Sequence, residues 1–298
     1  MEINNFNRME IAPMLDKTDR AFRRLLRLVN PRLRLWSEMA HAQALLHAPD
    51  PAPWLADCDV VQLAGCEPEC LAAAAKIAAD CGAGEVNLNA GCPSHRVQAG
   101  RFGACLMGEP SLAAECLAAM REAAGGRAAV TVKTRIALDD RSCDDGYDRL
   151  LAFVLASRCQ RVIIHARKAR LSISPAANLT RVPLTPEPVA RLARENPGLA
   201  VVYNGDVRSL RQAADRLAEG FAGVMIGRQA VAEPFMFSDG ARSREQVEEE
   251  FTAWALASRN PRMALIRALN LHHGQPIAGV YKQKILALAN AASCASLG

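Results

Sequence analysis

Along residues 9 to 226, short apolar runs alternate with longer stretches of helical periodicity. The runs predict strands at Met9–Met14, Leu33–Met39, Val60–Gly65 and Glu85–Asn89, then at Ala129–Arg135, Arg161–Ala166, Ala200–Asn204 and Gly223–Ile226. Between them, helical spacing covers Asp19–Val29, Ala40–His47, Glu69–Cys81, Ser111–Ala124, Asp145–Ser157, Glu187–Glu195 and Ser209–Glu219. Pro110-Ser111, Thr185-Pro186 and Ser209 supply the prolines and hydroxyls that open helices. Eight strand–helix units predict an α/β fold, a (β/α)8 TIM barrel. A doubly wound sheet would carry glycines in its first turn, where this chain has Ala12-Pro13-Met14-Leu15-Asp16, so that architecture is set aside.

After Pro234 the alternation stops. Only helical patterns follow, at Arg244–Ser258, Arg262–His272 and Val280–Ala292, interrupted by Gly274 and Pro276. The expected division is a barrel domain over residues 1–238 and a small all-helical domain over residues 239–298. A chain of 298 residues, 50 % hydrophobic and 22 % charged, can bury a sizeable core. Its opening, MEINNFNRME, is polar and mixed, and no run reaches bilayer length, so a cytoplasmic protein without a membrane segment is expected. The net charge of +5 is compatible with a polyanionic partner without requiring one. The ten cysteines are scattered, as in a reducing compartment. Cys66 and Cys70 have the spacing of a metal pair, but no second pair follows, so no metal is expected.

In a barrel the chemistry sits at the C-terminal ends of the strands. Those ends are polar in this chain. Lys133 interrupts the apolar alternation VTVKT, where a charge is costly unless an anion, a polarised ring or a buried carboxylate meets it. His165 ends VIIH, and Gln62 offers an amide to a ring edge. YNGDVRSL and IGRQA each place a glycine at a strand exit before a helix, a phosphate-binding arrangement to which Arg228 adds charge. Between Asn87 and Gly108 runs NLNAGCPSHRVQAGRFGACLMG, too irregular for strand or helix, which presents Cys92 between Gly91 and Pro93. Together these residues describe a phosphorylated planar cofactor with a substrate laid across it.

That string, with APML, VTVKTRI, IIHARKA, YNGD and MIGR, resembles the tRNA-dihydrouridine synthases, and within them the DusA subfamily, the tRNA-dihydrouridine(20/20a) synthases. The likeness is dense from Ile11 to Pro234 and looser beyond. It implies an FMN-dependent reductase of the C5–C6 bond of a uridine in the tRNA D-loop, with NADPH as electron source. Cys92 stands where the family protonates C5, and a cysteine thiol titrating near ~8.5 carries its proton near neutral pH. By the same likeness, cofactor contacts fall to Pro13, Met14, Leu15, Gln62, Lys133 and His165, and to Asn204, Gly205, Asp206, Gly227 and Arg228. Asn89 stands where the flipped uridine is held. A stacked base cannot reach a barrel mouth, so it must be extruded. Arg170 and Arg181, after the sixth strand, and Lys282 are the expected tRNA contacts.

The chain departs from the family at three places. Asn204-Gly205-Asp206 replaces Asn-Gly-Gly, and a carboxylate beside a phosphate is unfavourable unless it turns away. The stretch from His47 to Asp57 is proline-rich and lacks basic residues. Gly279 stands where an arginine would contact tRNA, while Lys282 keeps a positive charge. Two other functions fit less of the pattern: a catalytically impaired tRNA-binding homologue, and an FMN reductase of a small pyrimidine. Nothing in the residues fixes the oligomeric state; a monomer is expected.

Overall fold

A computed structural model describes residues 5–138 and 146–295. Its centre is a closed barrel of eight parallel strands in sequence order: β1 (Met9–Ile11), β2 (Arg34–His41), β3 (Val60–Ala64), β4 (Glu85–Ala90), β5 (Ala129–Arg135), β6 (Arg161–His165), β7 (Ala200–Asn204) and β8 (Gly223–Ile226). The fold class read from the alternation is therefore the one observed. β1 is shorter than predicted: the Ala12 amide still reaches the Ile226 carbonyl at 2.9 Å, but Pro13 has no N–H with which to continue the ladder.

Parallel strands need helical crossovers, and each helix turns its apolar face onto the barrel. Helix Arg20–Val29 starts where Asp19 accepts the Phe22 amide at 2.9 Å, and it buries Phe22, Leu25, Leu26 and Val29. The helix expected from Asp145 is observed over Tyr147–Ser157, Asp145 itself lying outside the described residues. Four short helices had no counterpart in the periodicity: Ala52–Leu55, His95–Ala99, Pro175–Arg181 and Arg228–Ala232. Each is too brief to show helical spacing.

Every second strand residue points into the barrel. Trp36, Val60, Ile163, Val202 and Met225 form an apolar plug there, separate from the larger core between strands and helices. Beneath the plug lies a polar floor, in which Glu10, Arg34, Glu85 and Arg161 are ion-paired and the Trp36 Nε1 donates to Glu10 at 2.9 Å. The plug and floor close the bottom, so a ligand can enter only from the C-terminal end.

After β8 the chain is helical. Helix Arg244–Leu256 carries a capping box between Ser243 and Gln246 and buries Val247, Phe251 and Ala255. The predicted helix Arg262–His272 is instead Pro261–Leu265 followed by a 3-10 turn, Ile266–Ala268. Helix Ala278–Ala295 buries Tyr281, Ile285 and Ala289 at four-residue spacing. These side chains belong to the same apolar core as the barrel's helices. Arg267 pairs with Asp19 at 2.7 Å and so fastens the helical segment to the barrel's first helix. No helix of the described residues is long and apolar enough to cross a membrane.

Candidate active site

The upper ends of the strands surround a cavity of about 480 Å³, within the range of small-ligand and cofactor sites. Pro13, Met14 and Leu15 enter it from the exit of β1, Gln62 from β3, and Asn89 and Cys92 from β4 and the turn after it. Lys133, His165 and Asn204 face it from β5, β6 and β7. Asp206, Gly227 and Arg228 complete it at the exits of β7 and β8. The structure thus brings together almost all residues expected at a cofactor site.

Cys92 is half-buried on this wall, and its backbone is tightly held. The Asn89 Oδ1 accepts the amides of Gly91 at 3.2 Å and Cys92 at 3.0 Å, while its Nδ2 donates to the Gln62 Oε1 at 2.9 Å. Arg135 donates through Nε to the Gly91 carbonyl at 2.8 Å and through Nη1 to the Lys168 carbonyl at 3.1 Å. The Cys92 carbonyl in turn accepts the Ala104 amide at 3.0 Å. Gly103 makes that approach possible: it sits at φ +58°, and a Cβ there would fall 2.4 Å from the Val97 Cγ1. The segment expected to be irregular is therefore a helix, His95–Ala99, and a 3-10 helix, Gly103–Gly108. Val97, Phe102, Ala104 and Leu106 are buried beneath it, so tertiary contacts hold these turns rather than local propensity.

Lys133 donates to the Asn204 Oδ1 at 3.0 Å, and no carboxylate pairs with it among the described residues. The alternative of a buried ion pair is thereby excluded within that set. Burial first, and the neighbouring Arg135 second, push its pKa down to about 7. Between pH 7 and its ordinary value of 10.5 the unfolded chain binds more protons at Lys133 than the folded one. Stability accordingly rises with pH across that window, and the burial cost is fully present below it. A Lys133→Met variant is expected to be more stable than the parent at pH 6.5, with the gap closing toward pH 10; urea titrations across this range measure it. Burial and the cations Arg135, Lys133, Arg167 and Arg228 hold His165 well below the ordinary histidine range, so its imidazole is neutral.

At the far pole, the amides of Gly205, Asp206, Gly227 and Arg228 enter no hydrogen bond among the described residues. Gly205 itself does not line the cavity. A Cβ on it would meet the Leu184 Cδ1 at 2.8 Å and the Tyr203 Oη at 2.9 Å, so it serves close packing at the strand exit. The Asp206 carboxylate accepts from the Arg167 Nη2 at 2.9 Å and from the Arg228 Nη2. Arg170, Arg181 and Lys282 lie off the cavity wall, with Arg181 exposed at the end of helix Pro175–Arg181.

Sequence comparison decides the family. The profile described as Dihydrouridine synthase (Dus) matches residues 10–287. The chain belongs to the dihydrouridine synthase family. Dihydrouridine synthases are oxidoreductases that reduce uridine in tRNA to dihydrouridine. A tRNA-dihydrouridine(20/20a) synthase of Xylella fastidiosa strain Temecula1 is 40 % identical over 93 % of this chain and 88 % of that protein. One from Shewanella oneidensis strain MR-1 is 45 % identical over 76 % of this chain and 68 % of that protein. Among solved structures, morphinone reductase in complex with tetrahydroNAD matches the fold with a TM-score of 0.51 at 12 % identity, covering 92 % of each chain.

The cavity also holds residues that the strand-end argument left without a role. Arg135 is buried, keeps its charge although burial and Arg167 lower its pKa to about 10, and ties the Cys92 turn to the segment after β6. Pro175 and Leu179 reach the cavity from helix Pro175–Arg181. Ser174, which accepts the Ala177 amide ahead of Pro175 at the first helical position, was the available signal for that helix.

Proposed function

We propose that this protein binds FMN in the barrel-mouth cavity, takes electrons from NADPH and reduces the C5–C6 bond of a tRNA D-loop uridine. The observation that carries this reading is the meeting of three features around one cavity. These are a half-buried thiol at Cys92, a half-buried lysine at Lys133 that meets no carboxylate among the described residues, and amides beside Arg208 and Arg228 that are unpaired within the same set. The residues fit FMN on chemical grounds: the amides and arginines suit a phosphate, and Gln62, Lys133, His165 and Asn204 offer a polar edge to a ring. The chemistry supplied by a bound, reduced flavin is hydride transfer.

The remaining steps belong to the chain. Lys133, titrating near neutrality, takes up a proton as negative charge gathers beside it. Neutral His165 adds a hydrogen bond without adding repulsion among four neighbouring cations. Cys92 holds the proton that goes to C5, and Asn89 and Arg135 keep its turn in place. The uridine leaves its stack to reach them. Asn89 contacts it in the cavity, Arg170 and Arg181 meet the RNA at the mouth, and Lys282 in the helical domain, residues 239–298, meets it further out. The relatives from Xylella and Shewanella carry the designation 20/20a, and we assign the same two uridines. The protein works as a monomer in the cytoplasm.

The test begins with the purified protein, which is expected to be yellow and to release FMN on denaturation. Mass spectrometry of tRNA from cells lacking the gene should then show dihydrouridine lost at positions 20 and 20a. A colourless preparation that binds no flavin, or unchanged dihydrouridine in those cells, removes this reading.

A further inference from the structure

A carboxylate already stands where a phosphate is wanted. Asp206 adopts φ 48°, a left-handed backbone angle that favours glycine and that aspartate and asparagine tolerate better than most residues. Its Oδ2 accepts from the Arg167 Nη2 at 2.9 Å and lies 3.8 Å from the Arg208 Nη2, while its Oδ1 accepts from the Arg228 Nη2. Guanidiniums from the exits of β6, β7 and β8 thus converge on one anionic group of the protein's own. We propose that Asp206 is a built-in occupant of the phosphate pole and a determinant of cofactor specificity, so that the protein discriminates only weakly between FMN and riboflavin. The inference rests on the flavin reading given above.

The two arginines differ in what they can do. Arg167 is 5 % exposed and also donates to the Val182 carbonyl, so it stays with Asp206 whatever binds. Arg228 has a side chain 52 % exposed and is the partner free to change hands. Riboflavin has no phosphate and leaves the Asp206–Arg228 pair intact. FMN must either part that pair or set a dianion beside a carboxylate, and both oppose the gain from the free amides. The phosphate is accepted, but it adds less affinity than an unopposed arginine pole would give.

Dissociation constants for FMN and riboflavin, measured by flavin fluorescence on the full chain freed of bound flavin, test this without reference to activity. Asp206→Asn and Asp206→Gly both suit the backbone angle. Each is expected to tighten FMN by about tenfold, the scale of one released charge-assisted contact, and to leave riboflavin unchanged. In the parent protein Arg228→Ala should weaken FMN by less than about threefold, as for a charge already engaged, and it should cancel the gain when combined with Asp206→Asn. Should loss of the carboxylate beside buried Arg167 unfold both Asp206 variants, the Arg228→Ala measurement decides alone. Tenfold weaker FMN binding in Arg228→Ala, or weaker FMN binding in Asp206→Asn, overturns the proposal, since Asp206 would then be orienting Arg228 toward the phosphate. Binding of neither flavin by the parent or any variant is a different failure, and it removes the flavin reading itself.

Discussion

Replacing Cys92 by alanine is expected to lower dihydrouridine formation by about a hundredfold to ten-thousandfold, the range associated with a positioned general acid, while flavin binding persists. The two effects separate because the turn around Cys92 is held by its main chain. The Asn89 side-chain Oδ1 accepts the amides of residues 91 and 92, Arg135 holds the Gly91 carbonyl, and Ala104 holds that of Cys92. None of these contacts uses the thiol, so truncation removes a proton donor and leaves the wall standing. Cys92→Ser restores a hydroxyl in the same place, but a hydroxyl is a far weaker acid, and only a small part of the rate should return. Absorption spectra of the purified variants and single-turnover assays on tRNA lacking dihydrouridine measure both halves. Parent-level turnover in Cys92→Ala would mean that the proton comes from another group.

The barrel and most of the cavity wall were legible in the sequence because both depend on short-range order. Alternation marks each strand, and a parallel barrel puts chemistry at strand exits, so Gln62, Lys133, His165 and Asn204 could be placed before any coordinates. What was not legible depends on side-chain direction and on contacts distant in sequence. The YNGD motif placed Asp206 beside a phosphate site, but only the structure shows that its carboxylate is shared by Arg167 and Arg228. Arg135 reads as the last residue of an ordinary strand, while its function depends on carbonyls 44 and 33 residues away. Helices such as His95–Ala99 and Pro175–Arg181 are shorter than two turns of any periodic signal, and packing decides whether they form.

The barrel floor escaped notice for the same reason, and it supports the second large expectation. Glu85 is 1 % exposed and accepts from Arg34 at 2.6 Å, from Arg161 at 2.7 and 2.9 Å, and from the Thr131 hydroxyl at 2.6 Å. Glu10 is likewise buried; burial raises its pKa, and Arg161 opposes that rise. With Glu10 ionised, two carboxylates offset two guanidiniums beneath the apolar plug. Glu85→Ala leaves Arg161 with Glu10 but takes the partner from Arg34, whose side chain is 35 % exposed; with that charge partly solvated, the lost charge-assisted hydrogen bonds cost about 1.5–3 kcal/mol. Melting should fall by roughly 5 °C for a domain of this size, and the urea midpoint should fall with little change in slope. Glu85→Gln keeps the shape and some of the hydrogen bonds, so it should fall between the two. The floor lies below the plug of Trp36, Val60, Ile163, Val202 and Met225, and the folded fraction of each variant should therefore bind flavin as the parent does. A melting temperature unchanged to within about a degree would show that the water already touching Arg34 replaces its lost partner in full.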